Sequence, residues 1–433
     1  MSRTHRARLE LRDPGAGGAL TTPALVEHAF RHDYGRLVAT LVRRVGPGHL
    51  ALVEDAVQAA LEAALATWVT RPPADPRAWL YRVAYNRLVQ ELRRDAGHAR
   101  VLARIEAEPV DDVGAPAGPR FAEELRDDLL RMLFVACDDA IPWESQLVLA
   151  LKTLCGFSTA EIALRLFTSE ANVHKRLARA RDRLRAMPDA VVDPPPLDAL
   201  RARLAGVHGV LYLLFNEGYL SAHAAHAIRR ELCDEALRLT TLLAGHPVGA
   251  VPETFALLAL MHLHVARLGA RLDATGGLLL LEEQDRSRWD RGQIQQGLAW
   301  LARSAEGDVF SRFHAEAGIA AAHAMSPSFA ETPWQEIAGL YARLERVTPS
   351  PLHTLNRAVA VAEWQGAEAA LAILDGLVPP TWLAGSYLWD AVLADLHRRA
   401  GHAELAAQHR ERADASAPTD AVRDLLRRRL RSP

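Results

Sequence analysis

Cysteine is scarce in this sequence. Cys137, Cys155 and Cys233 are the only three in 433 residues, and each sits inside an apolar helical pattern. Their scattered spacing excludes a disulfide framework or a zinc-binding cluster, and a reducing, cytoplasmic setting is the simplest expectation. No stretch is long and apolar enough to span a membrane, and no signal peptide opens the chain, so no membrane partner is expected. An excess of one charge is also missing: 51 Lys and Arg face 53 Asp and Glu, a formal net charge of −2. That argues against a chain that coats nucleic acid along its length and leaves room for a local basic patch. Aromatic residues make up 6% and runs of β-branched residues are few, while Ala, Leu and Arg dominate. An all-α protein follows. Catalytic signatures are lacking as well, with no HExxH, no phosphate loop and no nucleophile elbow. Eighteen histidines make chance pairs common. His223 and His226, or His262 and His264, with Glu217, Glu282, Glu283 and Asp285 nearby in sequence, are the raw material for a metal-dependent enzyme. No catalytic residue, metal or cofactor is expected.

What the sequence does have is most explicit in "STAEIALRLFTSEANVHKRLARARDRLR", Ser158 to Arg185. Ser158 followed by Glu161 fits a capping box. Ile162 and Leu166 share one face, and Thr168 or Ser169 can cap a second helix. In that helix Val173, Leu177, Ala180 and Leu184 form an apolar stripe. Asn172, Arg176, Arg179 and Arg183 form another, about 100° away. Charged helix faces are most often simply solvated. Here the paired helix starts and the separate arginine stripe favour a helix-turn-helix that lies on DNA. Asn172, His174 and Lys175, near the second helix's start, can reach base edges, and the arginines can hold phosphates.

Two linkers divide the chain. "EAEPVDDVGAPAGPR" (Glu106 to Arg120) is acidic and rich in Pro and Gly, and "MPDAVVDPPPLDA" (Met187 to Ala199) has four prolines. The expected organisation is a disordered lead at 1–20, a helical domain at 21–96, a linker at 97–120, and a helix-turn-helix domain at 121–187. A short linker at 188–196 then leads to a helical extension at 197–433. In the first domain, helices are expected over Pro23 to Val45, Leu50 to Trp68, and from Arg77 through "RAWLYRVAYNRLVQELRR". The last buries Trp79 or Leu80, Val83 or Ala84, Leu88 and Leu92, and leaves Arg82, Asn86, Arg93 and Arg94 polar. Helices near 121–137 and 142–154 open the second domain. Near 350–415 the extension echoes itself: Gly366 and Gly401, about 35 residues apart, each separate a helix from an Ala-rich second helix, close to the tetratricopeptide period.

"EDAVQAALEAALATW", "PRAWLYRVAYNRLVQELRR" and the helix-turn-helix, in this order and spacing, resemble a sigma-70 factor of the extracytoplasmic-function type. The extension, through "LYLLFNEGYLSA", "LCDEALRLTTLL", "LLALMHLHVARLGARLD", "LLLLEEQDRSRWDR" and "LNRAVAVAE", resembles the helical-repeat extension of one group of these factors. The resemblance implies core RNA polymerase and promoter DNA as partners. It implies polymerase binding by Asp55 and Gln58, in a DxxQ pattern, with Glu54 beside them. It assigns opening and reading of the −10 element to the segment from Arg71 to Arg94. There Arg77, Trp79, Arg82, Asn86, Arg93 and Arg94 are the candidates, since a splayed single strand needs a stacking surface and polar donors. It gives the −35 element to Ser169, Asn172, Val173, His174, Lys175, Arg176, Arg179 and Arg183. Asn172 and Val173 stand where the pattern usually has Thr and Val, and no Gly appears near Leu166-Phe167, where the family often has one. A protein regulator that binds the repeat domain is a further expected partner.

A helix-turn-helix regulator whose repeat domain senses a ligand or a partner is the alternative, and the DAVQ helix with its second DNA-reading segment favours the sigma factor. "FNEGY", Phe215 to Tyr219, has two readings. One is a helix end at which Asn216 and Glu217 bond nearby backbone and Gly218 takes a positive φ. The other is a pocket, or a contact between the extension and the domains before it.

Overall fold

The computed structural model describes residues 22–94, 101–103, 127–186, 196–221, 228–274 and 276–430, with side chains from residue 33 onward. Among the described residues the secondary structure is helical, apart from an isolated bridge between Leu272 and Leu278.

The first domain is α1 (Thr22–Val45), α2 (Leu50–Thr67) and α3 (Pro76–Arg94). In α3 the buried residues are Leu80, Tyr81, Ala84, Leu88 and Leu92, so the expected stripe holds with Leu80 and Ala84 as its inward members. The second domain is α4 (Asp128–Ala136), α5 (Trp143–Thr153), α6 (Thr159–Arg165) and α7 (Glu170–Arg185). The expected lead, most of both linkers and the stretch 121–126 lie outside the described residues.

The extension runs through thirteen further described helices. They are α8 (Leu197–Ala202), α9 (Leu204–Tyr219), α10 (Arg230–Ala244), α11 (Pro252–Val265), α12 (Arg291–Ser304), α13 (Arg312–Met325), α14 (Trp334–Val347), α15 (Pro351–Gln365), α16 (Ala367–Leu374), α17 (Thr381–Ala384), α18 (Tyr387–Arg399), α19 (Ala403–Ala415) and α20 (Asp420–Arg429). The sequence echo corresponds to two hairpins, α15–α16 turned at Gly366 and α18–α19 turned near Gly401, both glycines having positive φ.

One apolar core runs through all three parts. Leu41 and Val45 of α1, Leu133 of α4, Val148 of α5, Leu177 of α7, and Leu211, Leu214 and Leu239 of the extension belong to the same buried cluster. Burial of apolar surface is the main favourable term in folding, and here each part supplies apolar surface to the others. The remaining extension has smaller cores of its own, such as the one that joins Leu355, Leu374 and Leu396.

The first two domains meet backbone to backbone at Gly35. A glycine inside α1 costs about 1 kcal/mol of helix propensity relative to alanine. A Cβ at this position would lie 1.9 Å from the carbonyl oxygen of Leu154, at the end of α5. Close approach therefore outweighs propensity. Gly35→Ala is expected to destabilise the protein by about 1–3 kcal/mol through overpacking, measured by thermal unfolding. Stabilisation, the usual result at an open helical glycine, would contradict the contact.

Candidate nucleic-acid and polymerase interface

The helix-turn-helix is built from its caps. The Ser158 hydroxyl accepts from the Glu161 amide (3.1 Å), and Glu161 Oε2 accepts from the Ser158 amide (2.7 Å), closing the expected capping box on α6. Ser169 is the cap of α7 and accepts from the Asn172 amide (3.3 Å). Thr159 Oγ1 donates to Glu170 Oε2 (2.9 Å) and ties the two helix starts together. Between them the chain turns at Phe167 with φ 50°, the one non-glycine positive φ among the described residues. The turn that lacks a glycine is thus made by an aromatic residue in the left-handed region, at a cost of about 1–2 kcal/mol. Its ring lies 4.6 Å from that of Trp382 in α17, so a residue of the extension covers the turn.

On α7 the apolar stripe Val173, Leu177, Ala180 and Leu184 is buried. Asn172, His174, Lys175, Arg179 and Arg183 are exposed, and Arg176 is half-buried. The face that the sequence gives to DNA is open to solvent. Val173 is the exception among the −35 candidates: its side chain is fully buried, and its part in the motif here is packing.

The −10 candidates lie along the outer side of α3. Arg77, Arg82, Asn86, Arg93 and Arg94 are exposed, with Arg77 3.8 Å from Asp33 and Arg94 paired with Glu91 (2.8 Å). Trp79 is half-buried and packs edge-on to the buried Trp68, centroids 5.5 Å apart, which fixes its ring while leaving part of it accessible.

On α2 the polymerase candidates divide. Asp55 and Gln58 are exposed. Glu54 is buried and joins the two domains: Oε1 accepts from Thr153 Oγ1 of α5 (2.9 Å), and Oε2 pairs with Arg181 of α7 (2.5 Å). Arg181, outside the DNA stripe, is therefore an interdomain residue that sequence reasoning missed. Burial, with Glu54 next in importance, pushes the nearby Tyr34 phenol well above its ordinary range.

The acid of "FNEGY" makes the contact between the extension and the helix-turn-helix. Glu217 has no exposed surface. Its carboxylate pairs with Arg165 at the end of α6 and accepts from Ser221 Oγ (2.6 Å). Arg165 also donates to the Leu220 carbonyl (2.8 Å). Arg229 reaches Glu161 Oε1 (3.0 Å) and lies 3.9 Å from Glu217, so the capping-box acid serves the cap with one oxygen and the extension with the other. The motif does end α9, which stops at Tyr219 with the Leu220 amide on the Asn216 carbonyl, but the expected positive φ is corrected: Gly218 is absent from the positive-φ glycines. Gly218 serves close approach instead, since a Cβ there would meet the Cys233 amide nitrogen at 2.6 Å.

A second ionic seam joins all three parts. Glu235 of α10 pairs with Arg36 of α1 (2.6 Å) and with Arg238 (2.8 Å), and Arg238 reaches Asp127 at the start of α4 (2.7 Å). Burial alone would raise the Glu235 carboxyl, but hydrogen bonds and charges from Arg238 and Arg36 hold it below its ordinary value.

His262 pairs with Gln293 (2.7 Å), and Glu282 and Glu283 are exposed. His223 and His226 lie outside the described residues. Among the described residues no group of three His, Cys, Asp or Glu is arranged to hold a metal, and no helix is long and apolar enough to cross a membrane.

Comparison with known proteins agrees with this architecture. Residues 30–97 match sigma-70 region 2, residues 132–184 match sigma-70 region 4, and residues 203–305 match a family of unknown function, DUF6596. An uncharacterized protein of Rhizobium meliloti (strain 1021) is 38% identical over 357 residues, which cover 82% of this chain and 84% of the relative. No solved structure matches the chain. The chain belongs to the sigma-70 family of sigma factors and carries a C-terminal extension.

Breaking a buried ion pair by removing one partner costs about 3–5 kcal/mol. Glu217→Ala is accordingly expected to lose about 3 kcal/mol or more in denaturant unfolding. Adding Arg165→Ala should cost little further, because the charge it would remove is already unpaired. Fully additive losses would mean that the two residues act independently.

Proposed function

We propose that the chain binds core RNA polymerase and directs promoter-specific initiation, as a factor of the extracytoplasmic-function type. Asp55 and Gln58 on α2 dock on the polymerase, α3 captures the opened −10 strand, and α7 reads the −35 element. The observation that carries this reading is the two-sided α7: four apolar residues buried, five of the polar and basic candidates exposed on the other side.

The packed arrangement sets a condition on that activity. Elements named for positions about 25 base pairs apart are separated by about 85 Å along B-form DNA. An ion pair between α2 and α7 holds the two promoter-reading domains in contact. The Glu54–Arg181 pair therefore breaks when both elements are bound, and Glu54 then becomes free for the polymerase. The extension completes the folded helix-turn-helix domain, since it buries Glu217 against α6 and packs its apolar residues on that domain. A chain cut near Asp193 would expose that apolar surface and lose activity.

Run-off transcription with purified core polymerase tests the reading. Discrete transcripts that depend on this protein are expected, and the absence of core binding in a pull-down would rule it out. Asp55→Lys should weaken core binding and leave the circular dichroism spectrum unchanged.

The two kinds of contact on α7 are separable by salt. Arg179→Ala should weaken DNA binding on every sequence and flatten the logarithmic salt dependence by about one unit of slope. Asn172→Ala should instead alter promoter preference. A change of preference without loss of general affinity in Arg179→Ala would reverse the assignment.

A further inference from the structure

In the extension, the residues that follow α11 and the loop before α12 bring together Arg267, Arg271 and Arg286. None of the three is in an ion pair among the described residues. Arg271 and Arg286 are nevertheless buried. A buried charge is costly unless it is matched, and the groups that hydrogen-bond these three are neutral. Arg271 donates to the Tyr219 carbonyl and lies 3.8 Å over that residue's ring. Arg286 donates to the carbonyls of His323 and Ser326, both at 2.7 Å, and Arg267 reaches only the Gln284 amide oxygen (3.4 and 3.2 Å). The guanidiniums of Arg267 and Arg286 lie 5.1 and 4.9 Å from the Trp289 ring.

Two imidazoles face the same charges. Burial first, then Arg267 and Arg271, bring His264 down to about 3. Burial first, then Arg267 and Arg286, do the same to His323. The Nδ1 atoms of both, and Nε1 of the buried Trp289, have no hydrogen-bond partner. Neighbouring carboxylates are engaged elsewhere. Asp285 holds Ser287, Asp290 caps α12 at Gln293, and Glu283 bonds the Leu280 amide and lies 3.7 Å from Arg428. Glu331 acts on Arg286, but it is exposed and accepts from Ser328 (2.7 Å).

We propose that Arg267, Arg271 and Arg286, with the unpartnered indole N–H of Trp289 and the unpartnered Nδ1 atoms of His264 and His323, form a binding site for a small oxyanion, a phosphate ester or a carboxylate. Guanidinium forks suit both groups, and charge-assisted bonds to them are stronger than neutral ones. Arg267, His264 and His323 are the half-buried members of the group. Through Arg271 the site holds the carbonyl of Tyr219, at the end of the helix that presents Glu217 to the helix-turn-helix, so occupancy bears on that docking contact.

The test is thermal unfolding of the full-length protein at fixed ionic strength in chloride, inorganic phosphate or citrate. Phosphate or citrate at millimolar concentration should raise the melting temperature by about 2 °C or more over chloride. Arg267→Gln, chosen because its side chain bonds only Gln284, should abolish the rise. A rise with phosphate alone identifies a phosphate ester as the ligand class, and one with citrate alone a carboxylate; either supports the site. An equal rise in the variant is a general salt effect and overturns the site, as does no rise in the wild type. Should Arg267→Gln fail to fold, calorimetric titration of the wild type decides: saturable heat with phosphate or citrate sustains the site, and its absence overturns it.

Discussion

A carboxylate without any exposed surface has to be matched by positive charge, and in this protein the match for Glu217 comes from another domain. Arg165, which ends the first helix of the helix-turn-helix, supplies it, and Arg229 links Glu217 to the Glu161 capping box. The helix-turn-helix is therefore tied to the extension in two places, at the start of α6 through Glu161 and at its end through Arg165. Trp382, against Phe167, adds a third at the turn itself. A left-handed phenylalanine is a conformation that persists only when its surroundings over-determine it, and the Trp382 ring is one part of those surroundings.

The same logic extends to region 2. Its helices share an apolar core with region 4 and the extension, and Glu54 and Glu235 are matched by arginines across domain boundaries. Of the three polymerase-facing candidates, the one turned inward is the one that closes the molecule. The DNA face of α7 and the outer face of α3 remain exposed. In this form both candidate recognition faces are available, on domains held in contact by the Glu54–Arg181 pair. Ion pairs suit such a joint better than apolar packing alone, because a competing set of charges on the polymerase can replace them.

Local signals in the sequence carried a long way. Caps at Ser158 and Ser169, the stripe from Val173 to Leu184 and the two hairpins near Gly366 and Gly401 are all set by residues within a few positions of one another, and all appear in the fold. Partners far apart in sequence were not legible. Arg165 and Glu217 are 52 residues apart, and Arg181 and Glu54 are 127 apart, and no periodicity links them. Arg181 looked like one more member of a basic helix. Gly218 was misread because glycine serves both positive φ and close packing, and only the neighbouring Cys233 backbone distinguishes them. At Phe167 the missing glycine was visible, but the ring contact that the left-handed residue makes is with Trp382, more than 200 residues later.

On the polymerase, a chain closed by α2–α7 contact is expected to open. Spin labels at Glu62→Cys and Asp182→Cys, exposed positions on those helices outside the proposed contacts, measure it by pulsed electron resonance. A short separation in the free protein that lengthens by tens of ångströms on binding core polymerase and promoter DNA is the predicted result. An unchanged separation in a complex that transcribes would contradict the account.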